Sequence, residues 1–211
     1  MKTILGIKAS LPPLEEQKRI AGILDEADRV RKKTQALIDK YDELAQSRFL
    51  DMFGDPVTNP KGWDMIPLRK VCPLKRGYDL PVSSRRLGEI PVYGGNGQIG
   101  VHSEHKASGP GVVTGRSGTL GVVHYCFEDF WPLNTALYVT DFFDNEPKWI
   151  SVMLAHFGLE RFSRGAGVPT LNRNLVHDEL VPNVPNRIQR EFCSRLSAIE
   201  AQQKCAMHQL G

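Results

Sequence analysis

Three stretches of this 211-residue sequence hold side chains suited to one kind of chemistry, the donation of hydrogen bonds to an anion or to a polar edge. "TGRSGTLG" (114–121) puts Arg116 at the tip of a glycine-rich loop, where the backbone can turn tightly and approach a ligand closely. "YGGNGQIG" (93–100) offers Asn96 in a second such loop, and "LNRN" (171–174) sets Asn172, Arg173 and Asn174 in a row. Arg85, Arg86, Lys106 and Arg164 add charge in the same region of the chain. Taken singly, each glycine stretch is accounted for as a hairpin turn between strands. Their coincidence with basic residues is what points to a ligand.

The other reactive side chains give weaker patterns. Neither glycine stretch is a phosphate loop of the GxxxxGK[ST] type, and the glycine spacing does not match a dinucleotide fingerprint, so a nucleotide-binding enzyme is a poor reading. His102 and His105 stand three apart with His124 further on, but no helical context or carboxylate spacing supports a metal, and no metal site is expected. Cys72, Cys126, Cys193 and Cys205 form no CxxC pair, which disfavours a disulfide framework and a cysteine zinc site alike. Trp63, Trp131 and Trp149 read as core or interface. Asn59-Pro60-Lys61 lacks the aromatic that an amino-methyltransferase motif places after its proline. No catalytic centre is read, and no cofactor is expected in this chain.

Charge is segregated behind a modest formal net of +3. Residues 61–125 hold nine Lys or Arg against four Asp or Glu, 127–160 hold one against six, and 161–190 hold five against two. Two basic stretches bracketing an acidic one favour a polyanion partner on one face. With 41% hydrophobic and 24% charged residues the chain is long enough to bury a core, and no apolar run approaches the roughly 20 residues of a membrane span. The expectation is a cytoplasmic protein with no membrane partner.

The elements that must position these loops are two helices and a strand-rich middle. "LPPLEEQKRIA" (11–21) opens the first helix: Pro12 and Pro13 fix φ near the helical value, and Glu15 and Glu16 sit beside the positive end of the dipole. Ile20, Ile23, Ala27, Val30, Thr34, Leu37, Tyr41 and Leu44 then alternate steps of three and four, with Leu24, Ile38 and Ala45 widening the stripe. A fainter copy, "VPNVPNRIQREF" (181–192), opens a second helix. A shift of 172 positions lays Pro13 on Pro185 and Gln17 on Gln189. Its own stripe runs Phe192, Leu196, Ile199, Gln203, Ala206 and Leu210, with Gln203 placed to fix register. The two helices are expected to pair antiparallel as a coiled coil. Between them, "MFGDPVTNPKGW" (52–63) breaks the helical period, and glycine-separated runs such as "PVYGG", "GPGVVTG", "LGVVHYCF" and "TALYVTDFF" read as short strands. A helical pattern over 148–162 makes this middle region mixed α/β, closed by Gly158 or by "SRGAG".

With these pieces in place the sequence resembles the DNA-specificity subunit of type I restriction-modification systems. The resemblance rests on "LPPLEEQKRIAGIL", "SRFLDMFGDP", "GW", "IPVYGGNGQIG", "VVTGRSGTLGVV", "NTALYV" and "GVPTLNRNLV" in that order, and spans nearly the whole chain. It implies an α/β (α+β) fold: a target recognition domain at 54–184, a spacer helix at 17–53, a second helix at 185–211, and at 1–16 the remnant strand and linker of an upstream recognition domain. It further implies double-stranded DNA as partner, a half-length or truncated form reading one half of a split site, and helices that bind the modification subunits. Those subunits carry S-adenosylmethionine and the methyl transfer, and the restriction subunit is a further partner. This chain would not be an enzyme. DNA contacts are assigned to Arg85, Arg86, Asn96, Lys106, Arg116, Arg164, Asn172, Arg173 and Asn174. A subunit interface, in a homodimer or against a modification subunit, is assigned to Ile20, Ile23, Leu24 and Ala27, because the second helix is too short to cover them. The competing reading is a coiled-coil scaffold protein whose glycine-rich domain binds protein.

Overall fold

A computed structural model describes residues 12–164 and 169–208. Its helices are α1 (Leu14–Phe53), α2 (Pro147–Phe157), α3 (Arg173–Asp178) and α4 (Asn186–Met207). Its strands are short: β1 (Met65–Pro67), β2 (Leu74–Arg76), β3 (Ile90–Gly94), β4 (Gly97–His102), β5 (Gly111–Gly115), β6 (Val123–Cys126), β7 (Trp131–Pro132), β8 (Ala136–Val139), β9 (Ser163–Arg164), β10 (Thr170–Leu171) and β11 (Leu180–Pro182). The mixed α/β class expected from the sequence is the class observed. The chain divides into two units, Met1–Ala45 with Ala198–Gly211, and Gln46–Ser197.

The repeated opening works the same way twice. In α1 the amides of Glu16 and Gln17 donate to the carbonyl of Pro13 (2.9 and 3.0 Å), and the Gln17 side-chain amide donates to the carbonyl of Pro12 (2.7 Å). In α4 the amides of Ile188 and Gln189 donate to Pro185 (2.9 and 3.3 Å), and the Gln189 side chain donates to Val184 (2.8 Å). Every one of these bonds maps onto its counterpart through the same shift of 172. The helix therefore begins at Leu14, ahead of the expected residue 17, because the proline carbonyl already accepts the first helical bonds. The two copies differ in surroundings. Gln189 is fully buried and also bonds Asn145 Oδ1 (2.7 Å) and the amide of Glu146 (2.9 Å), whereas Gln17 is exposed.

In the first unit, Gln203 of α4 donates to Asp42 of α1 at 2.7 Å. The covered face of α1 here is Thr34, Ile38, Tyr41 and Ala45, with the Thr34 hydroxyl satisfied by the carbonyl of Val30 (3.1 Å). Leu37 and Leu44, expected on the seam, are 42% and 48% exposed. The covered line takes steps of four, three and four, a heptad alternation that runs through Ile38 and Ala45 in place of Leu37 and Leu44. Ile20, Ile23, Leu24, Ala27 and Val30 are exposed as well. Exposed ion pairs such as Lys18–Glu15 (3.1 Å) and Arg31–Asp28 (2.9 Å) clothe the remaining faces, where solvent screens them.

In the second unit, a four-stranded sheet of order β2-β8-β5-β6 is antiparallel throughout. A three-stranded sheet of order β4-β3-β7 pairs β3 with β7 in parallel, and β1-β11 and β9-β10 are two-stranded. Helix α2 packs on β5 and β6 and buries Trp149, Ile150, Met153, Leu154 and Phe157. It ends at Gly158 in the left-handed conformation (φ 71°). Phe49 and Phe53 from α1 and Phe192 from α4 meet Trp149 in a cluster with ring centroids 5.1–5.8 Å apart. Each such side chain contributes about 1.5–3 kcal/mol of burial. The second unit consequently runs from Gln46 to Ser197, and the last turns of α1 and the first turns of α4 belong to this core.

Candidate nucleic-acid interface

Strand β5 delivers its last residue, Gly115, into a crowded position. A Cβ on Gly115 would lie 1.7 Å from the carbonyl oxygen of Thr119, so only glycine lets the 115–121 loop fold back on itself. Gly118 and Gly121 take φ of 85° and 81° in the same loop. The amide of Arg116 donates to Thr135 (2.9 Å), its carbonyl accepts from Leu171 (2.8 Å), and the amide of Gly118 donates to Pro169 (3.3 Å). Arg116 is thus held by its backbone from both sides, between the strand turn before β8 and the segment leading into α3.

The neighbour that approaches it is the "LNRN" stretch. Asn172 caps α3 by accepting from the amide of Asn174 (3.1 Å). The helix is moored to β2 through His177, whose Nε2 accepts from the amide of Leu74 at 2.9 Å, and to the turn at 68–70 through the Arg69–Asp178 pair (2.5 Å). Burial first, then the charge of Arg173, pushes the His177 imidazole below its ordinary value. The Leu74 backbone and Asp178 pull the other way and do not prevail.

The result is a cleft of about 390 Å³ lined by Arg76, Arg116, Thr170, Asn172, Arg173 and Asn174 over the floor of Leu137 and Leu171. Four residues expected from sequence converge here. Arg76 was not expected: on β2 it stands opposite Leu137, while the adjacent Lys75 stands opposite Tyr138 on the other face of the sheet. Its strand, Leu74-Lys75-Arg76, sets two basic residues side by side, and Arg76 Nη2 also lies 3.5 Å from Asp79 Oδ1. Three guanidiniums and two carboxamides with no carboxylate in the lining make a donor-rich, positively charged recess, suited to bidentate bonding to phosphate oxygens or to the acceptor edges of bases.

Asn96 sits exposed at the tip of the β3–β4 hairpin and lines an adjoining cleft of about 340 Å³, whose other wall is Ser117, Gly118 and Thr119 of the Arg116 loop. Gly95 lies so close to Gly115 that its Cβ would meet the Gly115 Cα at 3.2 Å, so the two glycine-rich stretches abut. Arg85, Arg86 and Lys106 line neither cleft. Arg85 is half-buried against β4, reaching the Ile99 carbonyl at 3.4 Å, and Arg86 pairs with Glu104 at 2.5 Å. Lys106 lies over the Trp131 ring at 5.1 Å. Arg164 pairs through its backbone with Thr170, and its side chain falls outside the described residues. Of the histidines, His102 is buried and accepts from the Arg86 amide (3.0 Å), and His105 lies 3.5 Å from Asp129. Among the described residues there is no group of three or more His, Cys, Asp or Glu placed to hold a metal, and no helix is long and apolar enough to cross a membrane.

Short sheets, one packed helix and a basic cleft at strand ends define the second unit. No protein-family model and no curated protein matches the sequence. Solved structures do. The type I restriction-modification S subunit from M. genitalium superposes with a TM-score of 0.71 at 19% identity, over 94% of this chain and 57% of that one. A chain from a structure of complex assembly and conformational transition in the type I R-M system gives 0.66 at 19%, over 95% and 55%. The HsdS subunit from Thermoanaerobacter tengcongensis gives 0.60 at 20%, over 95% and 55%. The fold is that of type I S subunits, and the chain spans little more than half the length of these relatives.

Proposed function

We propose that this chain is a DNA-specificity subunit of a type I restriction-modification complex. Its mixed α/β unit reads one half of a split double-stranded DNA site, and its helices dock the modification subunits, with the restriction subunit as a further partner. The chain itself is non-catalytic. S-adenosylmethionine and methyl transfer belong to the modification subunits. The observation that carries this reading is the convergence of Arg76, Arg116 and Arg173 with Asn172 and Asn174 in one cleft without a carboxylate. That chemistry suits a polyanion with acceptor edges and is wasted on an apolar protein surface. The shared S-subunit fold supports it.

The test is anisotropy titration of the full chain against a pool of duplexes, followed by sequencing of the bound fraction. Selective enrichment is expected. Arg116→Ala with Arg173→Ala should lower affinity for the enriched duplex by roughly tenfold or more, since one bidentate base contact is worth about 1–3 kcal/mol. The thermal midpoint should stay nearly unchanged, because both side chains are at the surface of the cleft. Retention of full affinity by the double variant would overturn the assignment.

A further inference from the structure

On the face of the β2–β8 sheet opposite the arginine cleft, four side chains form a second array of donors. Lys75 stands directly across from Tyr138 in the β2–β8 register. Its ammonium lies over the Tyr78 ring, 5.8 Å from the centroid. Tyr78 in turn packs edge-on against Trp131 (6.3 Å), and Lys106 lies over that indole at 5.1 Å. Two ammonium groups are thus held over two touching rings, an arrangement that fixes flexible lysines by cation–π attraction. Among the described residues neither lysine forms an ion pair with a carboxylate.

The tyrosine hydroxyls complete the array. Those of Tyr78 and Tyr138 are 3.1 Å apart and share one hydrogen bond. Tyr138 is 6% exposed, and burial pushes its hydroxyl up. The Tyr78 hydroxyl is held below the ordinary range, first by the bond to Tyr138 and then by Lys75 and Lys106. Either oxygen can donate in the shared bond, and when Tyr138 does, the Tyr78 proton is left for an outside acceptor. The adjoining groove, about 310 Å³, is lined by Lys106, Tyr138 and Thr140 among others, and no acid lines it.

We propose that Lys75, Lys106 and the Tyr78 hydroxyl bind a backbone phosphate of the DNA, a contact separate from the arginine cleft and independent of base sequence. The proposal rests on the DNA-binding reading above. Edge strand β2 then carries phosphate donors on one face and the cleft's Arg76 on the other, so that the duplex is gripped on both sides of one strand. Two fixed cations and a neutral O–H match the non-bridging oxygens of a single phosphodiester.

The experiment uses the full chain and a mixed-sequence 30-base-pair duplex, with affinity measured from low to moderate salt. For Lys75→Gln with Lys106→Gln, affinity should fall by a similar factor for every duplex, and the slope of log affinity against log salt should shrink by about one, the release expected of one phosphate. Tyr78→Phe keeps the ring and removes the hydroxyl. It should weaken binding several-fold without altering the slope. A double-lysine variant with wild-type affinity and slope overturns this contact while leaving the DNA-binding reading intact. Failure of the wild-type chain to bind any duplex overturns both. If low-millimolar inorganic phosphate raises the thermal midpoint of the wild type but not of the double-lysine variant while the two bind duplex alike, the site serves free phosphate and the assignment to the DNA backbone is wrong.

Discussion

Arg116 owes its position to a glycine more than to its own charge. Gly115 is the point where the loop folds back against Thr119 and abuts the β3–β4 hairpin, and a methyl group there would have to displace a backbone carbonyl 1.7 Å away. Gly115→Ala should therefore cost about 1–3 kcal/mol of stability, in the range of forced repacking at a crowded site, and should lower DNA affinity with Arg116 still present. Gly118→Ala has open space around its Cβ and only a positive φ to pay for, so it should cost about 1 kcal/mol. Urea midpoints of the two variants check the order, and a Gly115→Ala protein as stable as wild type would show that the loop does not need its fold-back. Charge alone was a poorer guide to this site. Arg86 stands in as basic a stretch as Arg116, yet Glu104 occupies it, eighteen residues away in sequence, and no local pattern reports that pairing. Lys75 and Tyr78 were invisible for the opposite reason: what makes them a site is the register of β2 on β8 and the edge contact with Trp131.

The helices were readable because their signals are local. Proline at the opening, glycine at the close of α2 and an apolar period over many turns all act within a few residues, and these features recur in the structure. The strands were readable only as a class, since β7, β9 and β10 are two residues long, and β7 exists through pairing with β3, far back in the sequence. The repeated helix opening shows how one local device acquires different weight in two settings. Gln189 bonds Val184, Asn145 and the Glu146 amide from a fully buried position, while among the described residues the exposed Gln17 side chain bonds the Pro12 carbonyl. Gln189→Ala leaves the Val184 carbonyl, Asn145 Oδ1 and the Glu146 amide without their partner in the core, and should cost roughly 2–4 kcal/mol. Gln17→Ala should cost less than about 0.5 kcal/mol. Thermal or urea unfolding of both variants measures the difference. Equal effects would mean that the buried network around Gln189 contributes nothing.

Among the described residues, α1 carries a long stripe of exposed apolar side chains. In the first unit, the stretch of α1 from Leu14 to Ala45 would extend about 48 Å and the stretch of α4 from Ala198 to Met207 about 15 Å, so the shorter can cover only part of the longer. Leu14, Ile20, Ile23, Leu24 and Val30 are between 42% and 63% exposed, at spacings that put most of them on one side of the helix. A stripe of this kind favours association. Pairing with a second copy through Ile20, Ile23, Leu24 and Ala27 would bring two arginine clefts into one assembly and, under the proposed DNA-binding function, direct it to an inverted-repeat DNA site. The expected outcome is a dimer of the purified chain in light scattering at micromolar concentration. Ile20→Glu with Leu24→Glu should convert it to a monomer with an unchanged circular dichroism spectrum, because both side chains are already solvent-exposed within the chain. The same variant should lose preference for duplexes carrying two inverted half-sites over duplexes carrying one, while single half-site binding through the Arg116 cleft persists. A wild-type chain that stays monomeric at high micromolar concentration would assign the stripe to a modification subunit instead, and co-purification of that subunit with wild type but not with the variant would then be the result to look for.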